Sequence, residues 1–185
     1  MRFTSTTSMS WDLIMLDETK PQAPASPTVS LQELHFEIER LNSEYAHILD
    51  NERYEEFPEL FVEDCLYRVV PRENHLLGLP IAVIHCESRG MIKDRVYAAR
   101  ESTMAEPRTL RHFISNVRIL DVVDDAIRAD ANVLMVQTMI NRMTEIVLSG
   151  FYLDRIVRVN GRFLFKERLC IYDSLLLPTS LIAPV

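Results

Sequence analysis

Residues Ile156-Val157-Arg158-Val159-Asn160-Gly161-Arg162-Phe163-Leu164-Phe165 predict two strands joined by a tight turn, and the rest of the predicted sheet follows from them. Val, Ile and Phe recur on both sides of the Asn-Gly dipeptide, with the alternation that is typical of β-strands. Asn-Gly is the strongest short hairpin signal, since both residues tolerate the positive φ that a two-residue turn requires. We therefore predict long antiparallel strands over Glu145–Val159 and Arg162–Tyr172.

The same two-residue period extends upstream and predicts two more long strands, over Arg111–Val123 and Ala126–Met143. The N-terminal part of the chain is helical instead. Ser30 and Glu33 have the spacing of a capping box, and apolar residues then recur in steps of three and four as far as Ile48, which predicts a helix of about five turns. Helices followed by an antiparallel meander indicate an α+β fold. We predict a cystatin-like cone, in which a long curved antiparallel sheet wraps around the N-terminal helices.

Shorter elements are predicted between the first helix and the meander. They are a short helix with Pro58 in its first turn or at a break, a strand over Cys65–Val70, a loop over Pro71–Pro80, an apolar segment over Ile81–Cys86 that fits either a strand or a helix, and a loop over Glu101–Thr109. Ser88 is predicted to cap a third helix. The buried side of that helix would carry Met91, Ile92, Val96 and Tyr97.

The chain divides into a tail and one domain. Residues 1–29 contain Ser/Thr clusters and three prolines without sustained periodicity, so we predict an N-terminal tail that is flexible or docks on a partner. A short amphipathic turn at Trp11–Leu16 is the part of the tail that could dock. Residues 30–185 are predicted to form a single α+β domain, since the whole chain of 185 residues has the length of one ordinary domain.

Composition excludes several classes of protein. The formal net charge is -7 and no dense basic run occurs, which disfavours binding to nucleic acid. No apolar run approaches the ~20 residues that a membrane helix needs, and the N-terminus lacks the pattern of a signal peptide. The three cysteines are far apart in the sequence, which is typical of free thiols in a reducing compartment. We predict a cytoplasmic protein with no membrane or nucleic-acid partner.

Common catalytic and cofactor motifs are missing from the sequence. The five histidines do not provide the Cys-x-His and Cys-x-x-His pairing of a Rieske cluster, nor the helical pair of an iron triad. The four glycines are too dispersed for a phosphate-binding loop. We therefore predict no metal-binding residue and no nucleotide cofactor site in this chain.

One possible pair of carboxylates supports an alternative function. A two-residue turn at Asn160-Gly161 would place Asp154 opposite Glu167 on a mostly apolar face. Like charges in that position are destabilising, so either a cation such as Arg118 or Arg142 covers them or one carboxyl group stays protonated. The second case would suit a stand-alone isomerase, dehydratase or cyclase of cone-shaped fold. The first case would be a structural ion-pair network, and a β-bulge would change the pairing altogether.

Several short motifs occur in an order and spacing that resemble one family. The motifs are Pro71-Arg72-Glu73-Asn74 with Gly78-Leu79-Pro80, Glu87-Ser88, Met91-Ile92, Asp94-Arg95-Val96-Tyr97, Arg111-His112-Phe113-Ile114-Ser115-Asn116-Val117, Arg168-Leu169-Cys170 and Tyr172-Asp173-Ser174. The resemblance that they indicate covers about residues 30–185. They resemble the small (β) subunits of bacterial aromatic-ring-hydroxylating oxygenases, most closely those of salicylate hydroxylase type.

The resemblance implies an NTF2-like cone and a subunit without catalytic residues of its own. Its implied partner is the large (α) oxygenase subunit, which holds a Rieske [2Fe-2S] cluster and a mononuclear Fe(II), commonly in an α3β3 hexamer. Electrons would reach the large subunit from NAD(P)H through a reductase and a ferredoxin. Dioxygen would then hydroxylate an aromatic ring, in a dioxygenase or monooxygenase reaction of aromatic compound degradation. The small subunit would stabilise this assembly.

Nine residues of the motifs are expected to support the structure or the subunit interface. They are Arg72, Glu73, Asn74, Asp94, Arg95, Arg111, His112, Tyr172 and Asp173. For Asp94, Arg95 and His112 the alternative is an ordinary surface ion pair or a contact along a helix. A binding module of the same fold, without an enzyme partner, is the third hypothesis for the whole chain.

Overall fold

The computed structural model describes residues 30–101, 107–174 and 184–185. The predictions for residues 1–29 and for most of the loop at 101–109 lie outside the described residues. The elements are α1 (Leu31–Asp50), a 3₁₀-helix (Phe57–Leu60), β1 (Phe61–Pro71), α2 (Arg72–Leu76), β2 (Ile84–Cys86), α3 (Arg89–Glu101), β3 (Arg108–Val123), β4 (Ala126–Met139), β5 (Glu145–Val159) and β6 (Arg162–Tyr172). Helix α1 packs against one curved sheet of strand order β2-β1-β6-β5-β4-β3, which confirms the predicted α+β cone.

The sheet is mixed rather than wholly antiparallel. Strands β3 to β6 form the predicted meander, but β1 pairs with β6 in parallel. The expectation of an antiparallel sheet was therefore wrong at this ladder. Its cause is that β1 and β6 are far apart in the chain, so no short turn dictates their relative direction. The parallel pairing places the C-terminal ends of both strands side by side, with Pro71 opposite Tyr172.

Helix α1 begins at the predicted capping box. The Ser30 hydroxyl oxygen accepts a hydrogen bond from the Glu33 backbone N–H at 3.2 Å, and the Glu33 carboxylate accepts one from the Ser30 backbone N–H at 2.9 Å. These bonds satisfy two donors that a helix N-terminus leaves free. The apolar stripe of the helix, including Ile38, Tyr45 and Ile48, is buried against the inner face of the sheet. We call the space between α1 and this face the interior of the cone.

The β5–β6 hairpin has the predicted turn but only part of the predicted register. Asn160 and Gly161 both have positive φ, at 50° and 82°. Near the turn, Ile156 faces Phe165 as expected. Beyond this pair a β-bulge shifts the pairing by one residue, so Asp154 faces Arg168 and the predicted Asp154–Glu167 pair is wrong. The extra residue lies on β6, where one added residue moves every later partner.

Three shorter predictions also need correction. Residues 72–76 of the predicted loop form α2, which begins directly after Pro71. Met91 and Tyr97 were predicted to be buried in α3 but are exposed, because this helix packs mainly on β1 and the 3₁₀-helix and buries only a narrow stripe containing Ile92 and Val96. Strand β4 ends at residue 139, four residues before the predicted end, where a turn to β5 begins.

Candidate functional site

Arg72 and Asp173 form an ion pair at the rim of an external cleft. They are neighbours because β1 and β6 run in parallel and each residue directly follows its strand. Arg72 Nη1 donates to Asp173 Oδ1 at 2.8 Å, and the Ser149 hydroxyl donates to Asp173 Oδ2 at 3.3 Å. The Arg72 guanidinium also lies 5.8 Å from the ring centre of Phe151. Both members of the pair are partly exposed, so we expect the pair to orient side chains more than to stabilise the fold.

The cleft crosses the outer face of the sheet and has a volume of about 520 Å³. Phe113 and Phe151 supply its apolar surface, and Ser115, Asn132 and Ser149 supply polar groups. Phe113 is 56% exposed, although the aromatic ring of a phenylalanine is usually buried. Aromatic surface with a polar rim and an arginine is typical of protein interfaces.

The Arg111-His112 motif fixes the C-terminal end of α1 to β3. His112 Nδ1 donates to the Asp50 carboxylate at 2.7 Å, and the His112 backbone N–H donates to the same group at 3.0 Å. Arg111 Nη1 donates to the main-chain carbonyl of Asp50 at 3.1 Å. A cation at the C-terminal end of a helix is favourable because the unsatisfied carbonyl groups there carry partial negative charge. The His112 side chain is completely buried, which is consistent with a structural role.

The other motif residues lie at separate places. Asn74 holds the segment after α2, since its side-chain amide donates to the Ile81 carbonyl at 3.2 Å. Glu73 is exposed on α2, and Tyr172 is buried at the end of β6. Asp94 and Arg95 lie on α3 near Cys86, where burial raises the pKa of the thiol and the Arg95 charge opposes that rise. The nine residues therefore form several small structural contacts rather than one constellation.

A polar centre lies inside the cone around Arg168. Its guanidinium is 0% exposed and lies over three aromatic rings, with Cζ 4.0 Å from the Tyr45 ring centre, 3.7 Å from that of Tyr152 and 4.3 Å from that of Phe165. Contacts of this kind are attractive because the ring faces carry negative potential. Arg168 Nη2 also donates to Asn42 Oδ1 on α1 at 2.7 Å.

Asp154 is the charge partner of Arg168. Its Oδ1 lies 3.6 Å from Arg168 Nε, and both side chains are almost completely buried. Burial raises the pKa of Asp154 to about 6, and the nearby Arg168 charge limits the rise. Glu167 is instead half-exposed and lies 3.4 Å from Arg155. The two carboxylates therefore do not share an apolar pocket. Asp154 is paired with an arginine, but this is Arg168 and not the expected Arg118 or Arg142.

Asp154 should make stability depend on pH. Its carboxyl group has a pKa of about 6 in the folded chain against 3.8 when unperturbed. The folded state therefore binds the proton more tightly than the unfolded state, so the contribution of this group is greatest below pH 4 and is lost as the pH rises through 6. Urea unfolding of the wild type and of Asp154→Asn between pH 4 and 8 measures this contribution as a difference. A wild-type advantage that grew with pH would contradict the assignment.

Sequence reasoning missed most of this centre. Arg168 stands in a motif of the resemblance but was not singled out, and Asn42 and Tyr45 were assigned only as helical residues. The position of Arg168 could have indicated that it is buried. It lies two residues before the buried Cys170 on a strand whose alternate residues face inward. The partner on α1 is 126 residues away in the chain, and no local pattern indicates it.

The described residues contain neither a cluster of metal ligands nor a helix that could span a membrane. Across residues 30–101, 107–174 and 184–185, no group of three or more His, Cys, Asp or Glu side chains is close enough to hold a metal ion. Within the same ranges, no helix is both long and apolar enough to cross a membrane. The three cysteines are free and buried.

The family match and the most similar curated proteins all describe small or β subunits of ring-hydroxylating oxygenases. The family described as "Ring hydroxylating beta subunit" matches residues 44–178. The anthranilate 1,2-dioxygenase small subunit of Burkholderia cepacia is 38% identical over 81% of this chain and 93% of its own length. The beta 1 subunit of the terminal oxygenase component of terephthalate 1,2-dioxygenase from a Comamonas species is 31% identical over 81% of this chain and 97% of its own length.

A solved structure agrees with these sequence matches. It is a beta subunit assigned to an aromatic-ring-hydroxylating dioxygenase of Novosphingobium aromaticivorans, with a TM-score of 0.76 and 39% identity over 83% of this chain and 98% of that chain. The match therefore includes the fold and most of the chain. On these grounds the chain belongs to the family of ring-hydroxylating oxygenase β subunits.

Proposed function

We propose that this chain is the non-catalytic small subunit of a multicomponent aromatic-ring hydroxylase and stabilises its assembly with a large subunit. The observation that carries the proposal is the family match over residues 44–178. Relatives named as a small subunit and as a β subunit of a terminal oxygenase component support it. The partner would be the large (α) subunit, and the complex an α3β3 hexamer in the cytoplasm. Free buried cysteines support a reducing compartment.

The iron groups are assigned to the large subunit. The described part of this chain offers no set of side chains that fits a Rieske [2Fe-2S] cluster or a mononuclear Fe(II), since no three suitable ligands lie together there. Bound in the large subunit, these groups would supply the redox chemistry that hydroxylates an aromatic ring with dioxygen. A reductase and a ferredoxin would deliver electrons from NAD(P)H to the large subunit. This chain would contribute contacts and rigidity.

The external cleft is the surface that we assign to the large subunit. Phe113 offers exposed aromatic area in its lining, and the Arg72–Asp173 pair with Ser149 offers hydrogen-bonding groups. Buried aromatic anchors with a polar surround carry most of the binding energy in typical interfaces. The residues of the Arg111-His112, Asp94-Arg95 and Asn74 contacts would act indirectly, by holding the helices and loops around the sheet.

Replacing Phe113 with aspartate should weaken association with the large subunit at least about tenfold, which corresponds to ~1.4 kcal/mol. The reason is that a buried charge would replace an aromatic anchor. Leu120→Asp is the matched control, since Leu120 is an exposed apolar residue of the same strand but does not line the cleft. Immobilised large subunit and purified variants would give both affinities. Equal weakening by the two substitutions would argue against the cleft.

Reconstitution tests the function as a whole. The large subunit, ferredoxin and reductase of the source organism would be assayed for hydroxylation of aromatic acids with and without this chain. We expect turnover or the lifetime of the active complex to rise when the chain is present, and the chain alone to give no product. A large subunit that is equally active and equally long-lived without the chain would contradict the proposal.

A further inference from the structure

The last two residues of the chain, Pro184 and Val185, lie inside the cone. Val185 is 1% exposed and belongs to the hydrophobic core. Its carbonyl oxygen accepts hydrogen bonds from two tyrosine hydroxyls, Tyr45 of α1 and Tyr67 of β1, the latter at 2.7 Å. Its backbone N–H donates to the Tyr67 hydroxyl at 2.9 Å. The backbone N–H and C=O of Val185, which flank its Cα atom, are thus held by tyrosine hydroxyls from a helix and a strand.

Further buried polar groups lie close to Tyr45, one of the two tyrosines that hold Val185. Tyr152 Oη, Arg168 Nη1 and both carboxylate oxygens of Asp154 are buried and have no hydrogen-bond partner among the described residues. Arg168 stacks on Tyr45, so these groups adjoin the tyrosines that hold the Val185 carbonyl. Buried polar groups nearly always have hydrogen-bond partners, so a cluster of buried donors and acceptors without partners needs an explanation.

Aromatic surface encloses the same place. The ring centres of Tyr45 and Phe57 are 5.3 Å apart, those of Phe57 and Tyr67 are 5.6 Å apart, and Tyr45 and Tyr152 are in edge contact at 5.9 Å. An apolar enclosure with a few convergent polar groups is the usual composition of a small-molecule site. Here the enclosure is filled by a proline and a valine with their connecting amide.

We propose that the interior of the cone is a binding site for a short peptide or an N-acylated amino acid, and that Pro184–Val185 is its resident occupant. The two tyrosine hydroxyls recognise a carbonyl oxygen, the Tyr67 oxygen recognises the N–H of the same residue, and the aromatic rings accept a branched apolar side chain. A tethered occupant has an effective concentration on the order of mM, so the chain's own segment excludes free ligands of similar affinity. The site binds an external ligand only when that segment is removed or weakened.

The test uses a chain shortened to end at residue 183 and the probe acetyl-Pro-Val, which reproduces the resident segment. Calorimetry on the shortened chain should show saturable binding with one site per chain, and the thermal midpoint should rise with probe concentration. The complete chain should give neither response, because its own segment fills the site. Tyr67→Phe in the shortened chain should weaken binding about tenfold, since it removes one donor and one acceptor.

Several results would overturn the proposal. They are a folded, shortened chain that binds no probe, equal responses from the shortened and complete chains, and undiminished affinity in the Tyr67→Phe variant. If the shortened chain is unfolded, the probe should restore its near-ultraviolet circular dichroism, and failure to do so would equally overturn the proposal. A second variant, Val185→Gly in the complete chain, should bind the probe more weakly than the shortened chain but more strongly than the wild type.

Discussion

Arg168→Ala is expected to lower the free energy of unfolding by about 3–5 kcal/mol, the largest effect of any single substitution considered for this chain. The substitution removes a guanidinium that is 0% exposed and leaves the buried Asp154 carboxylate without its charge partner. It also removes the cation from between the rings of Tyr45 and Tyr152 and the bond to Asn42. Urea unfolding at pH 7.5, where Asp154 is mostly ionised, measures the loss.

The neighbouring exposed ion pair provides the control for Arg168. Arg155 and Glu167 face each other on the same two strands, one position from the buried pair, and both are about half-exposed. Arg155→Ala should therefore cost less than about 1 kcal/mol. A double substitution, Asp154→Leu with Arg168→Met, should recover much of the lost stability because no buried charge remains. Similar losses for Arg168→Ala and Arg155→Ala would show that burial of the pair has no energetic consequence.

Gly150→Ala is expected to destabilise the chain by about 1–3 kcal/mol. A Cβ atom at position 150 would lie 2.1 Å from the carbonyl oxygen of Ile171 and 2.8 Å from the Cα atom of Tyr172. Both contacts are with backbone, so no side-chain rotation can relieve them and strands β5 and β6 must separate. The shift would reach Asp173, which bonds to Ser149 next to the substituted residue. Thermal and urea unfolding of the variant measure the effect.

Gly90→Ala serves as the control for this substitution. Gly90 lies in α3, and a Cβ atom there would meet its nearest neighbour, the Ser88 hydroxyl oxygen, at an ordinary 3.6 Å. Alanine also favours the helix over glycine by roughly 0.5–1 kcal/mol. Gly90→Ala should therefore be neutral or stabilising. A stability loss at position 90 equal to that at position 150 would mean that the close approach of β5 and β6 is not the cause.

Local patterns predicted those parts of the fold that local interactions determine. The capping box at Ser30 places the start of α1 correctly, because its partners are three residues apart. The Asn160-Gly161 turn likewise sets both strands of its hairpin, whose bounds agree with the prediction. The helix at 72–76 was missed because a short helix needs little periodicity, and Gly78 and Pro80 nearby favour a loop.

The polar centre was not predictable because it depends on one inserted residue and on distant contacts. Lys166 lengthens β6 by one position relative to β5, and this bulge replaces Glu167 with Arg168 as the partner of Asp154. Hairpin rules assume an unbroken ladder and cannot place such a bulge. The carboxylate hypothesis was therefore wrong in its geometry, and the arginine that covers Asp154 is Arg168 rather than the expected Arg118 or Arg142.

Only some residues of the cleft could be predicted from the sequence. Arg72 and Asp173 were both singled out by the resemblance, but their contact requires β1 and β6 to end side by side, which follows only from the parallel ladder. Phe113 belongs to a motif of the resemblance, but no role was predicted for it. The sequence does not show which face of the strand its ring lies on, and the structure places the ring in solvent. The interface role of these residues stays a prediction.

The central claim, that this chain supports an iron enzyme without holding iron, is tested most directly by measuring where the metal is. The chain would be co-expressed with the ring-hydroxylase large subunit of the source organism, and iron and both polypeptides would be quantified in the purified complex and in each chain after separation. We predict that the two chains elute together in equal amounts and that the iron stays with the large subunit. Stoichiometric iron in the isolated small chain, or its failure to elute with the large subunit, would contradict the account.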